Sequence, residues 1–172
     1  IADFLAIAIS ELGSISERRT ARLVDGSLSG LPRFLIKDGG LNSGLMIAQY
    51  TSASLVSENK VLSHPASVDS IPTSANQEDH NSMGSIGARK FYNVTENVKN
   101  IIAIEFLCAA QGLDFLLPLK SGAGVNAAFN FIRKNSKHIS KDGILNLEIE
   151  KMHSIIFGEN FLPSIEKITG KL

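Results

Sequence analysis

The sequence predicts an all-α fold, and two patterns carry that prediction. Apolar residues recur at spacings of three and four along residues 2–24 and again along residues 82–111, which is the period of a helix with one buried face. No stretch alternates apolar and polar side chains as a half-buried strand does. We therefore expect helices joined by loops that are rich in glycine, proline and small polar residues.

The first two predicted helices are separated by a glycine-rich connection. The first spans residues 2–24, and residues 25–40 are expected to form a loop because glycine and proline punctuate them. The second helix is predicted to begin near Asn42 or Ser43, either of which is a suitable capping residue, and to end near Ser63.

The next loop and helix are the most distinctive part of the chain. Residues 64–82 hold two prolines and many small polar side chains without a hydrophobic period, and a loop of this length in a compact domain is usually functional. The helix from about Ser82 to Gln111 would be about 45 Å long at 1.5 Å per residue, and its second half is apolar on every face. The other predicted helices are too few to enclose it, so we expect neighbouring subunits or further chain to cover it.

We divide the chain near residue 117. Residues 1–117 are predicted to be a central helical-bundle segment that contains the loop at 64–82, and residues 118–172 a C-terminal helical tail. The tail is predicted to contain three short amphipathic helices, at residues 125–134, 145–157 and 163–167.

Composition excludes several classes of protein. The 172 residues contain 17 Lys plus Arg and 17 Asp plus Glu, and no stretch concentrates basic residues, so we expect no nucleic-acid partner. Mean hydropathy is +0.10, and no run reaches the ~18 apolar residues of a membrane helix, so we expect no membrane partner. The single cysteine, Cys108, lies in an apolar run and is expected to be buried, which with the lack of an export signal favours a cytoplasmic location.

Metal binding is not expected. The chain contains four histidines, His64, His80, His138 and His153. No two of them have the spacing of three or four residues that places two ligands on one helix face.

Three groups of charged residues are candidates for a role. Glu78 and Asp79 precede the long helix, where they either cap it, which is the more frequent role at this spacing, or leave Glu78 to bind a cation or accept a proton. Glu105 lies in an apolar run and needs a partner; a catalytic role is the alternative, and we expect an ion pair across subunits. The polar group at residues 16–19 is expected to be an interface rather than an anion site.

Several separated motifs in a fixed order carry a resemblance to a known family. They are SISERRTARLVD, LPRFLIKDGGLNSGLMIAQ, SENKVLSHPASVDSIPTSANQEDHNSMG and IAIEFLCAAQGLD. Together they closely resemble the C-terminal part of the aromatic amino acid ammonia-lyase family, and within it the histidine-specific members. The match is in register over residues 11–114, whereas residues 118–172 resemble the variable helical tail of the family only loosely.

The resemblance implies a homotetramer with long antiparallel helices in a central bundle and active sites built from more than one subunit. It also implies a methylidene-imidazolone (MIO) electrophile, formed from an internal Ala-Ser-Gly, and a tyrosine that acts as the base. No Ala-Ser-Gly occurs in the sequence, and neither Tyr50 nor Tyr92 lies in the tyrosine motif of the family. We therefore expect the chain to be a C-terminal fragment that lacks the electrophile-bearing N-terminal part and is inactive alone.

The resemblance assigns this chain the wall of the substrate pocket. Glu78 matches a glutamate that histidine-specific members place near the substrate, where it assists proton transfer, and it is the candidate catalytic residue. Met46 matches a methionine that packs by the substrate ring, while Asn76 and Gln77 are neighbouring candidates for substrate binding. Phenylalanine-specific members usually carry glutamine at position 78 and lysine at position 46.

These identities favour L-histidine as the substrate, with trans-urocanate and ammonia as products. Two alternatives remain open. One is a related tyrosine or phenylalanine ammonia-lyase or aminomutase, and the other is a non-catalytic helical assembly module.

Overall fold

Six helices follow the predicted order, and a further short helix, Gly26–Ser29, lies within residues 25–40, which were predicted to be a loop. The computed structural model describes residues 1–171, in which there are seven α-helices and no strand. The helices are α1 (Ala2–Val24), α2 (Gly26–Ser29), α3 (Met46–Leu62), α4 (Gly84–Phe115), α5 (Ala123–Asn135), α6 (Leu145–Ile156) and α7 (Phe161–Thr169). The all-α prediction is confirmed, and α4, with 32 residues, is about 48 Å long.

The long helix α4 is the element against which α1, α3 and α6 pack, while α5 and α7 pack against each other. The approach of α1 to α4 is close at Gly13, where a Cβ atom would lie 3.2 Å from both Val98 and Ile101. Only proline is a poorer helix former than glycine. Gly13 is nevertheless suited to the middle of α1, because the lack of a side chain lets α1 and α4 pack closely.

The apolar second half of α4 is largely buried by the chain itself. Ile101, Ile104 and Leu107 are fully buried, and the last two belong to a cluster that also contains Leu35 from the loop after α2. The expectation that neighbouring subunits or further chain must cover this half of α4 is therefore corrected, because the loop after α2 and the C-terminal helices cover much of it.

The core is continuous across residue 117. Ile132, Met152 and Phe161, which lie on α5, α6 and α7, are buried in the same cluster as Leu107 and Cys108 of α4. The C-terminal helices thus complete the core that buries α4.

The exposed apolar face lies on α1. Phe4, Leu12 and Ile15 are 78%, 57% and 49% exposed, and they share one side of the helix. Among residues 1–171, no helix combines the length and the apolar character needed to cross a membrane.

The start of α3 differs from its prediction. The helix begins at Met46, and the preceding residue, Leu45, makes no side-chain capping hydrogen bond. Asn42 and Ser43 were predicted to cap this helix, and that prediction is wrong. Gly44, with a φ of +53°, turns the chain before the helix, so these two side chains lie outside the capping position.

We expect Ile104→Ala to lower the free energy of unfolding by about 2–5 kcal/mol, because it removes a fully buried side chain and leaves a cavity. Ile144→Ala is the matched control, since Ile144 is 69% exposed and its truncation should change stability by less than about 0.5 kcal/mol. Urea unfolding followed by circular dichroism measures both changes. Equal effects of the two substitutions would contradict this assignment of the core.

Candidate functional site

The loop between α3 and α4 is attached at its root to two helices. The backbone N–H of Ser67 donates to Asp3 Oδ2 of α1 at 2.9 Å, and Lys90 Nζ of α4 donates to the carbonyl oxygen of His64. These contacts fix where the loop leaves the helical body.

Beyond its root the loop doubles back as an irregular hairpin. Ser70 and Ser82 form an antiparallel bridge, and nearer the tip Thr73 and Glu78 form a second one. The N–H of Thr73 donates to the carbonyl of Glu78 at 2.9 Å, and the N–H of Glu78 donates back at 3.4 Å. The candidate residues Asn76, Gln77 and Glu78 therefore lie together at the tip of the hairpin, and all three are exposed.

The carboxylate of Glu78 is held by its own loop. Thr73 Oγ1 donates to Glu78 Oε2 at 2.8 Å, and Ser74 Oγ lies 3.5 Å from the same oxygen. The interpretation that Glu78 caps the long helix is therefore wrong. That helix begins after Met83, and the hydroxyl of Ser82 accepts from the N–H of Gly84 at 3.2 Å.

The hairpin tip stores backbone strain. Ser74, Ala75 and Asn76 have φ values of 53°, 54° and 66°, in the left-handed region that disfavours residues with a side chain. Three consecutive residues of this kind are costly, and such strain concentrates at functional sites, where surrounding contacts hold it in place. The backbone hydrogen bonds between Thr73 and Glu78 close the strained turn. The same bonds therefore hold the three left-handed residues in place and fix the backbone of Glu78.

Met46 lies on a different segment from the other candidates. It is half-buried at the first residue of α3, whereas the hairpin is rooted just beyond the last residue, Leu62. At 1.5 Å per residue these two ends of α3 are about 24 Å apart. The structure brings Asn76, Gln77 and Glu78 together at the hairpin tip, and it places Met46 at the end of α3 opposite the root of the hairpin.

The turn before Met46 is fixed by long-range contacts that sequence reasoning missed. The N–H of Leu45 donates to the carbonyl of Phe34 at 2.9 Å, and a Cβ on Gly44 would lie 2.5 Å from the same oxygen. The N–H groups of Ser43 and Gly44 donate to the carboxylate of Asp142. The only sequence signal was an aspartate before a glycine in a loop, which indicates a turn and nothing about a partner 99 residues away.

The polar group at residues 16–19 is a set of contacts within the chain. Glu17 is buried and accepts from Arg18 Nε at 2.6 Å and from Gln49 Nε2 of α3 at 2.9 Å. Its carboxylate raises the pKa of Arg18. Arg19 lies 3.5 Å from Glu105, so the ion pair that we expected across subunits is formed inside the chain, because α1 runs alongside α4.

The remaining reactive groups do not form a site of their own. Cys108 is fully buried, and burial together with the nearby Glu105 raises the pKa of its thiol to about 12, so it stays protonated at neutral pH. Within residues 1–171, no cluster of three histidine, cysteine, aspartate or glutamate side chains has the geometry to hold a metal ion.

The described chain is a helical body in which a long buried helix carries a strained hairpin that presents a glutamate. Residues 1–134 match the family model described as aromatic amino acid lyase, and the chain belongs to that family. The resemblance on which the sequence analysis relied is confirmed.

Curated relatives specify the similarity further. The chain is 53% identical to histidine ammonia-lyase of Natranaerobius thermophilus, over 99% of the chain and 34% of that protein. It is also 53% identical to histidine ammonia-lyase of Symbiobacterium thermophilum, with the same coverage of both chains. The chain therefore spans about a third of the length of the curated relatives that it matches.

Solved structures agree with this similarity. Histidine ammonia-lyase from Trypanosoma cruzi superimposes with a TM-score of 0.93 at 48% identity, over 97% of this chain and 33% of that one. Tyrosine aminomutase from Streptomyces globisporus gives a TM-score of 0.92 at 34% identity, over 99% of this chain and 33% of that one. The helical architecture is thus shared by family members with different names.

We expect Asp3→Ala to loosen the root of the hairpin and to speed amide hydrogen exchange at Ser67. Hydrogen bonds from the hydroxyl and the N–H of Ser67 hold the pKa of Asp3 below its ordinary value. The stabilisation is therefore fully present above the pKa of an unfolded aspartate, about 3.9, and is lost as the pH falls through the lower pKa of the folded chain.

The control is Asp69→Asn, which removes a carboxylate from the same loop. Exchange at Ser67, corrected for its intrinsic pH dependence, should be unchanged in this control at pH 7. If Asp3→Ala also left it unchanged, Asp3 would not anchor the loop.

Proposed function

We propose that the complete protein containing this chain eliminates ammonia from L-histidine to give trans-urocanate, a step in histidine degradation. The observation that carries the proposal is the 53% identity to histidine ammonia-lyases over 99% of the chain. The identities of Glu78 and Met46, which match the histidine-specific pattern, support the same substrate. We place this activity in the cytoplasm, as the unpaired and buried Cys108 favours.

In this proposal Glu78 is the catalytic residue of this chain. A carboxylate suits the imidazole ring of histidine, which carries a partial positive charge near neutral pH. The hydrogen bond from Thr73 and the strained turn before Glu78 present its side chain at an exposed tip, where it is available to a substrate. Asn76 and Gln77 bind the substrate from the same tip, and Met46 packs against its ring.

We propose active sites that are built from more than one subunit, as the family resemblance implies. The candidate residues of this chain lie on two segments, the hairpin tip and the first turn of α3. We propose a homotetramer, and the exposed apolar side of α1 at Phe4, Leu12 and Ile15 supports association.

The electrophile lies outside this chain in our proposal. Family membership implies an MIO group, which supplies an electrophile to the amino acid when it is present. No Ala-Ser-Gly occurs in the 172 residues, so these residues do not provide it, and we derive no step through it.

A second candidate is an aminomutase or lyase that acts on tyrosine or phenylalanine. The observation that favours it is the TM-score of 0.92 with tyrosine aminomutase from Streptomyces globisporus. The identity to that protein is 34%, against 48% for histidine ammonia-lyase from Trypanosoma cruzi, so histidine remains the preferred substrate. The third alternative is a non-catalytic helical assembly module, and in that case the complete protein would not turn over any of these amino acids.

We expect Glu78→Gln in the complete enzyme to lower kcat/KM for L-histidine by about 10²-fold, the scale of a lost proton-transfer group. Glutamine keeps an oxygen that can accept from Thr73, so the hairpin should persist while the negative charge is lost. Asp79→Asn is the matched control in the same loop, and its kinetics should change less than about twofold. Unchanged turnover by Glu78→Gln would remove Glu78 from the mechanism.

The purified 172-residue chain should not convert L-histidine to urocanate, because it carries no Ala-Ser-Gly. Growth of the ultraviolet absorbance of urocanate measures the reaction, and the complete enzyme in the same assay is the positive control. Turnover by the chain alone would show that its own residues suffice for the chemistry.

A further inference from the structure

Asp142 lies in the loop before α6, yet its carboxylate binds the backbone just before α3. The N–H of Ser43 lies 3.0 Å from Oδ1 and 2.9 Å from Oδ2, and the N–H of Gly44 lies 2.8 Å from Oδ1. In return, the N–H of Asp142 donates to Asn42 Oδ1 at 3.1 Å. The two segments therefore hold each other in both directions.

We call these hydrogen bonds between Asp142 and residues 42–44 the Asp142 clamp, and it takes the place of a local cap on α3. Neither Asn42 nor Ser43 caps α3, and Leu45 makes no side-chain capping bond. Successive N–H groups beside a left-handed residue form a concave site for an anion, and hydrogen bonds to a carboxylate are stronger than those between neutral groups. Asp142 fills that concave site, at the entry to the helix that starts with Met46.

A buried glutamine on α4 holds the segment that carries Asp142. Gln111 is fully buried, and its Nε2 donates to the carbonyls of Leu35 at 3.1 Å and Ile139 at 2.7 Å. Its Oε1 accepts from the N–H of Ile139 at 3.1 Å. One side chain thus fixes both the loop after α2, whose Phe34 carbonyl accepts from Leu45, and the segment that leads to Asp142.

A cluster of charged and polar side chains fixes the same segment at His138, four residues before Asp142. Arg133 Nη2 donates to Asp114 Oδ2 at 2.8 Å, and His138 Nδ1 lies 2.6 Å from the same oxygen. Since Asp114 lies on α4, the helix locates residues 138–142 through two neighbouring anchors, this cluster and Gln111. The segment that carries Asp142 is therefore anchored to α4 close to the point where Asp142 contacts the residues before α3.

We propose that Asp142 is a positioning residue for the substrate pocket. It sets the direction of the first turn of α3 and so places Met46 against the substrate ring, an inference that rests on the proposed function. Met46 is the residue at which α3 begins, so a shift of the preceding turn moves its side chain directly.

Kinetics of the complete enzyme test this role. In D142A the KM for L-histidine should rise roughly three- to tenfold while kcat changes less than about twofold, because ring packing is lost and Glu78 is untouched. D142N should be intermediate, since its oxygen can replace Oδ1 but its amide nitrogen would face the N–H of Ser43. The matched control is E150A, which removes an exposed carboxylate from the same tail and should leave KM unchanged.

A double-mutant comparison separates positioning from general destabilisation. In the M46A background, D142A should produce little further rise in KM, because the side chain that it positions is already gone. An equal rise in KM with and without Met46, or an unchanged KM in D142A, overturns the proposal. A fall in kcat alone, in proportion to the amount of folded enzyme, also overturns it.

Amide hydrogen exchange distinguishes failure of this proposal from failure of the proposed function. Exchange at Ser43 and Gly44 should be faster in D142A than in the unaltered enzyme, with E150A as control. If the unaltered enzyme fails to turn over L-histidine, the proposed function is wrong and the positioning role falls with it, whatever the exchange shows. If the enzyme is active but exchange is unchanged, the clamp is wrong and the proposed function stands.

Discussion

Burial of the long helix α4 is the constraint on which the rest of the structure depends. Its second half is apolar on every face, and a helix of that kind is stable in water only when other elements cover it. The chain meets this need with α1, α3, the loop around Leu35 and the C-terminal helices, which share one core with Leu107. Gln111 is a fully buried polar side chain of this helix. Because an unpaired buried amide is costly, its hydrogen bonds fix the two loop segments that supply its partners.

Carboxylates organise the loops that α4 leaves outside the core. Asp3 accepts from Ser67 at the root of the hairpin, and Asp142 accepts from Ser43 and Gly44 before α3. A loop has no regular ladder to satisfy its N–H groups, so a negative side chain from a neighbouring element can both pair them and fix their position. The candidate residues Glu78 and Met46 lie in or next to loops that are held in this way, which gives irregular backbone a defined geometry.

The candidate residues of this chain form only part of a substrate pocket in our proposal, and the chain spans only about a third of the length of its relatives. Met46 lies at one end of α3 and the hairpin that carries Glu78 is rooted at the other, and α1 exposes apolar side chains such as Phe4 along one side. A chain that matches about a third of its relatives' length supplies two separate pieces of pocket wall in our proposal. The hairpin that carries Glu78 contains the strained residues Ser74–Asn76, and the hydrogen bonds of Asp142 support the start of α3 at Met46.

The sequence by itself determined the helices and the family, since apolar period, loop composition and ordered motifs are local properties that a single chain displays. It also determined that Cys108 is buried, because the residue lies in a wholly apolar run. Only the tertiary structure decided which groups meet. Asn42 and Ser43 looked like helix caps, but the carboxylate of Asp142 accepts from the N–H groups of Ser43 and Gly44, and Glu105 pairs with Arg19 of α1. Such pairings depend on how distant segments pack around α4, and no periodicity in the sequence records them.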